Sequence, residues 1–206
     1  MPLFVIIRHG QSQWNLENRF TGSADPPLTD LGREEAREAG ALLKASQSSE
    51  KLFSMGFTSE LQRTIETMDI ILREMGQPDL PIERSAALNE RKYGDLQGLN
   101  KAEAEERFGV EQLFRWRRGY EDRPTNGESL SDIYELVVHY YETTILPHLQ
   151  NGQSILVVGH GNNLRALLMH LEQVSAKSIE DVELATGIPR QYEYDQATGT
   201  FALLPK

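Results

Sequence analysis

The 206-residue chain has no cysteine. Disulfides, thiolate zinc sites and a cysteine nucleophile are thereby excluded. An excess of basic charge is missing as well: 21 Lys and Arg stand against 31 Asp and Glu, a net charge of −10. That sign is wrong for a general grip on nucleic acid or an anionic membrane, so neither partner is expected, and any anionic ligand must be met by a local basic cluster. No apolar run approaches the ~18 residues of a membrane span, and the N-terminal "PLFVII" is shorter than a signal-peptide core and lacks a basic flank. A cytoplasmic location is the expectation. The five histidines show no ligand-like spacing such as H-E-x-x-H, and no carboxylate lies one turn from His9, so no metal is expected.

What is present alternates between apolar runs and helical periodicity. "LFVII" (3–7) reads as a buried strand, and 29–45 as a helix with Leu31, Ala39, Leu42 and Leu43 inward. A short strand at 54–58, a helix at 60–75 closed by Gly76 and Pro78, and a strand at 81–88 continue the rhythm. From Arg91 to Gly127 the chain turns polar and Gly-punctuated, with one helix predicted at 102–117; this reads as a long insertion carried above a sheet. Beyond it, 129–150 is amphipathic and helical up to Pro147, "SILVVGH" (154–160) is a strand, 162–171 a helix, and the alternating end "RQYEYDQATGTFALL" a terminal hairpin. The pattern implies an α/β fold: three layers, a mostly parallel sheet with helices on both faces.

Two stretches share one form. "VIIRHG" (5–10) and "LVVGHG" (156–161) each run from an apolar strand through histidine-glycine into a polar turn and a helix. In open α/β sheets ligands bind beyond the carboxyl ends of strands, where helix N-termini aim amide N–H groups at anions, and both His9 and His160 belong there. "GHGNNL" starts like a dinucleotide fingerprint but has Leu164 for the third glycine, and "GQSQW" lacks the second glycine of a nucleophile elbow. Ser59 and Arg63 follow the second strand, and Glu90 stands past the third. Four strand ends thus deliver Arg8 with His9, Arg63, Glu90 and His160, the composition of a phosphoryl-transfer site.

"RHGQSQWN", "FTG" (20–22), "TSELQR", "LNERKYGDLQGLNK", "WRRGY" and "GHGNNLR" together resemble the histidine phosphatase superfamily, and within it the mutases of phosphoglycerate that depend on 2,3-bisphosphoglycerate. The likeness runs from about residue 3 to 195. It implies one phosphoglycerate mutase-like domain over 1–206, with a lid-like insertion at about 91–127. It implies His9 as the phosphoryl carrier, with Arg8, Arg63 and His160 stabilising the transferring group and Glu90 as general acid and base. Arg8, Ser12, Asn15, Thr21, Gly22, Arg63, Glu90, Arg91, Tyr93, Lys101, Arg117, Arg118, Gly161 and Asn162 match the family's substrate-binding positions. The implied reaction interconverts 2- and 3-phosphoglycerate, primed by 2,3-bisphosphoglycerate without a metal. A homo-oligomer is compatible with it.

An imidazole nucleophile must be unprotonated at one ring nitrogen, so the other N–H of His9 needs an acceptor, expected in a backbone carbonyl near the following glycine. Departures from the family pattern are Ser23 after "FTG" in place of tryptophan, Lys92 for His or Asp, Asn163 for serine, and Arg190 after "TGIP" where an apolar residue is usual. The stretch between Arg118 and "NGESL" is shorter than in the longer mutases, which bears on the shape of the lid. Two other readings stand beside this one. A histidine phosphatase acting on small phosphomonoesters needs neither "WRR" nor Lys101, and a non-catalytic phosphate-binding regulatory module would tolerate loss of His9 or Glu90, both of which are present.

Overall fold

A computed structural model describes residues 1–46 and 52–205. Strand β1 (Leu3–Arg8) is followed by the one-turn α1 (Gln13–Leu16) and by α2 (Asp30–Ala45). Then come β2 (Met55–Thr58), α3 (Gln62–Met75) and the short β3 (Ile82–Arg84). Helices α4 (Lys101–Phe108), α5 (Val110–Arg118), α6 (Leu130–Tyr140) and α7 (Leu146–Gln150) precede β4 (Ile155–Gly159), and α8 (Gly161–Glu172) leads to the hairpin β5 (Arg190–Asp195) and β6 (Thr200–Leu203). The sheet order is β3-β2-β4-β1-β5-β6, parallel from β3 to β1 and antiparallel at β5 and β6.

The apolar runs of β1 and β4 explain both cores, because successive side chains of a strand point to opposite faces. Phe4, Ile6, Ile155 and Val157 pack with α6 and α8 through Leu130, Ile133, Val137 and Leu164. Val5, Ile7, Leu156 and Val158 pack with α2 and α3 through Ala36, Ala39, Leu43, Met68 and Ile71. Each such fully buried Val, Leu, Ile or Phe contributes roughly 1.5–3 kcal/mol before entropy is counted. A third, smaller cluster of Phe20, Leu96, Ala104 and Leu113 lies under α4 and α5.

Several expectations need correction. Leu31 and Leu42 face outward, 54% and 57% exposed, and the buried stripe of α2 is Gly32, Ala36, Ala39, Gly40 and Leu43. Close approach to α3 is the reason: a Cβ on Gly40 would stand 2.8 Å from Ile71 O, so the contact takes small residues and leaves the large leucines outside. The strand expected at 81–88 ends at Arg84, where Ser85 Oγ accepts from Ala87 N and starts a 3-10 turn. The helix expected at 102–117 is two helices broken at Gly109, whose φ of +84° suits glycine. Nor does helical structure stop at Pro147. A π turn, Tyr141–Ile145, carries it into α7, where proline sits in the first turn and needs no N–H partner.

One contact fixes the loop after β1. A Cβ on Gly10 would lie 2.1 Å from Gly32 O, so the backbone following His9 rests directly on the first turn of α2.

Candidate active site

The parallel register pairs Arg8 with Gly159, so the next residue on each strand is a histidine and the two stand side by side. His9 N donates to Gly159 O at 3.0 Å, and the rings meet edge-on with centroids 5.1 Å apart. His9 Nδ1 lies 2.7 Å from Gly10 O. A carbonyl can only accept, so Nδ1 holds the proton and Nε2 keeps its lone pair. Burial first, then Arg63 and Arg8, hold the His9 pKa well below the usual histidine range, so the ring is neutral near pH 7. The loop is braced from α3, where Thr67 Oγ1 accepts from Gly10 N at 3.1 Å and donates to Arg63 O at 2.7 Å.

His160 is fully buried beside His9, and its orientation follows from a chain of hydroxyls. Its Nε2 is 2.9 Å from Ser59 Oγ, which is 2.6 Å from Thr64 Oγ1, which donates to Leu61 O at 2.8 Å. Because the chain ends on a carbonyl, Thr64 must donate there, Ser59 must donate to Thr64, and His160 Nε2 must donate to Ser59.

Arg63 comes from the first turn of α3, is 1% exposed, and donates to Ala24 O at 2.7 Å and Gly22 O at 3.0 Å. Arg8 donates to Leu184 O at 2.9 Å. The buried Nε atoms of both arginines and Thr21 Oγ1 have no hydrogen-bond partner in the protein. Buried donors of this kind are costly unless a ligand meets them. Glu90 is held by backbone donors, its Oε1 accepting from Arg91 N at 3.0 Å and its Oε2 from Asn162 N at 3.3 Å.

A cavity of about 700 Å³ opens over Arg8, His9, Arg63 and Glu90, whereas His160 is fully buried and not part of its wall. Its wall includes Arg8, His9, Asn15, Thr21, Gly22, Arg63, Glu90, Tyr93, Lys101, Arg117, Arg118, Gly161 and Asn162. Burial, with Arg117 and Arg8 nearby, pulls the Lys101 pKa down to about 8. Two expected wall residues are turned elsewhere. Ser12 is buried and caps α1, its Oγ accepting from Asn15 N at 3.3 Å. The Arg91 guanidinium leaves the cavity to bind Trp116 O at 2.6 Å, Arg117 O at 3.2 Å and Glu128 O at 3.0 Å.

Sequence reasoning missed Gln11, Arg19, Arg165 and the 183–191 segment, all of which border the cavity. A lone arginine within the apolar "NNLRALL" was a signal for Arg165, whereas 183–191 carries no local pattern and is placed by Gly187 N donating to Arg8 O at 2.9 Å. The unusual residues lie off the reacting centre. Ser23 binds Gln97, Lys92 is exposed, Asn163 Nδ2 donates to Leu88 O, and Arg190 pairs with Glu172.

Parallel strands that end in two buried histidines, with arginines and a carboxylate around them, form a candidate histidine-centred anion site on an α/β sheet. The sequence profile described as the histidine phosphatase superfamily (branch 1) matches residues 4–204, and the chain belongs to that superfamily. It is 51% identical over 194 residues to the 2,3-bisphosphoglycerate-dependent phosphoglycerate mutase of Cytophaga hutchinsonii, covering 94% of this chain and 88% of that protein. With the enzyme of the same name from Methylocella silvestris it shares 52% over 190 residues, covering 92% and 91%. Among solved structures, Bacillus stearothermophilus YhfR superposes with a TM-score of 0.83 at 24% identity, covering 98% of this chain and 95% of that one, a likeness of fold. Among the described residues no helix is long and apolar enough to cross a membrane.

Proposed function

We propose that the chain interconverts 2- and 3-phosphoglycerate through a phosphohistidine at His9. The observation that carries this reading is the presence of two sets of cations on one cavity: Arg8 and Arg63 around His9, and Lys101, Arg117 and Arg118 from α4 and α5 on the same wall. A phosphomonoester needs the first set. A substrate with a carboxylate and a second phosphate uses both, and the two relatives above carry the name of such an enzyme.

In this reading 2,3-bisphosphoglycerate supplies the phosphoryl group that primes His9, and the partnerless donors at Arg8, Arg63 and Thr21 suit its oxygens. His9 Nε2 attacks phosphorus with its lone pair as the P–O bond breaks, and Glu90 protonates the departing oxygen. Arg8 and Arg63 balance the charge on the equatorial oxygens of a loose transition state, while the neutral His160, its proton donated to Ser59, packs edge-on against the His9 ring. In the reverse direction Glu90 takes the proton of the substrate hydroxyl that attacks phospho-His9. After the bisphosphorylated intermediate turns over, His9 accepts the other phosphoryl group. The 91–127 segment acts as the lid: Arg117 and Arg118 hold the far anion and keep water from phospho-His9, whose hydrolysis would make the enzyme a phosphatase.

The test is a coupled assay of 3-phosphoglycerate turnover with and without 2,3-bisphosphoglycerate. Turnover that rises with the primer is expected. Ester hydrolysis with no mutase activity under any priming would hand the site to the phosphatase reading.

A further inference from the structure

Arg165 is 3% exposed in α8, and among the described residues no Asp or Glu lies within ion-pair distance of it. A guanidinium taken out of water needs compensation, and here it comes from neutral oxygens. Nη1 donates to Asn162 Oδ1 at 3.1 Å and to Arg117 O at 3.4 Å; Nη2 donates to Arg118 O and Ile179 O, both at 2.7 Å.

These partners have two consequences. The carbonyls of Arg117 and Arg118 belong to the last turn of α5, where no intrahelical donor remains and the helix dipole is negative. Arg165 grips this end from α8, while Arg91 grips Trp116 O and Arg117 O as well. The helix end that bears the Arg117 and Arg118 side chains is therefore clamped by two buried cations. The second consequence concerns hydrogen-bond polarity. A guanidinium can only donate, so Asn162 must turn its oxygen to Arg165 and its NH2 to Tyr93 Oη, 3.1 Å away. The Tyr93 oxygen then accepts from Asn162, and its own proton is left for the cavity that Tyr93 lines.

We infer that Arg165 is a positioning residue for substrate selection: it sets the place of Arg117 and Arg118 through the end of α5, and it makes the Tyr93 hydroxyl a donor by fixing Asn162. The outer cavity thereby presents donors to a second anionic end of the substrate. This rests on the mutase reading above. Arg165 itself touches no reacting atom, so its loss should alter selection more than phosphoryl chemistry.

The test uses Arg165→Met and Arg165→Lys in the full chain. Mutase KM for 3-phosphoglycerate should rise about tenfold or more in both, as for a lost charge-assisted contact, while p-nitrophenyl phosphate hydrolysis and vanadate inhibition stay within about threefold of wild type. Hydrogen exchange of the 110–118 amides should quicken, and the KM effects of Arg165→Lys and Tyr93→Phe should combine less than additively. Equal losses of mutase activity and ester hydrolysis, or unchanged exchange with additive KM effects, would overturn the assignment. A wild type that hydrolyses esters but lacks mutase activity would sink the mutase reading instead, and the substrate-selection role of Arg165 with it, since that role needs a second anionic end. If both variants fail to fold, a crystal structure of the wild type decides: an Arg165 guanidinium detached from α5 and Asn162 overturns the inference, and the same bonds sustain it.

Discussion

The inner and outer parts of the site are held in place by different means. His9 and His160 follow two central strands whose register makes them neighbours, and both are buried. Lys101, Arg117 and Arg118 stand on two short helices over a small cluster of their own, and the end of α5 is fixed by side-chain donors on its carbonyls rather than by a ladder. Strand pairing deep in a sheet opens only with the whole domain, whereas a helix end held by a few bonds can open locally. In the proposed mechanism the chemistry belongs to the rigid part, and the choice of substrate to the part that can open locally.

The comparison breaks most severely at the inner part. His9→Ala should abolish turnover of every substrate, since the chain has no cysteine and no second imidazole with its Nδ1 proton on Gly10 O. Acid-labile phosphate should map to residue 9 in the wild type, and label on any other residue would overturn the assignment. Glu90→Gln should retain the fold and lose about 10²–10⁴ in rate, the usual range for a general acid–base group. A near-normal rate there would move proton transfer to another group.

At the outer part the losses should separate by activity. Replacing Arg117 and Arg118 together by Ala removes two cations from the cavity wall, each worth about 1.5–3 kcal/mol if it holds an anion by a charge-assisted bond. The Arg118–Glu183 pair, 3.2 Å long with Glu183 82% exposed, is too solvated to add much to stability, but Arg118 also donates to Glu180 O at 2.9 Å and Val182 O at 3.2 Å, so the fold of the double variant is checked alongside its rates. Mutase kcat/KM should therefore fall far more than ester hydrolysis, with the circular dichroism spectrum unchanged. Parallel losses in the two activities would place these arginines with the shared phosphoryl site.

The same division governs what could be read from sequence. Apolar runs ending in His-Gly announce strands and a ligand edge, and chemical necessity alone anticipates the acceptor on His9 Nδ1, found at Gly10 O. Resemblance supplied the positions of the outer residues but not their side-chain directions. Ser12 and Arg91 occupy expected positions and still turn to capping α1 and clamping α5, because each meets backbone groups that only the folded chain brings near. Arg165 and the 183–191 segment were missed for the same reason, their partners lying far away in sequence, as Arg165 with Arg118 and Leu184 with Arg8 do. Leu31 and Leu42 misled in a simpler way. Hydrophobicity alone puts leucines on the buried face, whereas the close approach of α2 and α3 selects glycine and alanine.

The smallest expected effect sharpens the comparison through pH. Lys101 has its pKa pulled from 10.5 down to about 8 by burial, and then by Arg117 and Arg8. Below pH 8 it is a cation facing an anionic substrate; above, the unliganded enzyme loses that charge. KM for 3-phosphoglycerate should rise by up to tenfold per pH unit above about 8, levelling off when one charge-assisted contact of about 1.5–3 kcal/mol is gone. Ester hydrolysis should stay level across this window, because His9 and His160 titrate well below 6.5. Loss of fold is separable by sign. A lysine whose folded pKa lies below its unfolded value penalises the folded state at low pH, and the penalty is relieved as pH rises from about 8 to 10.5, so this group raises stability where binding weakens. Lys101→Arg, always charged, should flatten the KM profile, and Lys101→Met should hold it at the high plateau from pH 7 upward. A rise above pH 8 that persists unchanged in Lys101→Arg would assign the titration to another group.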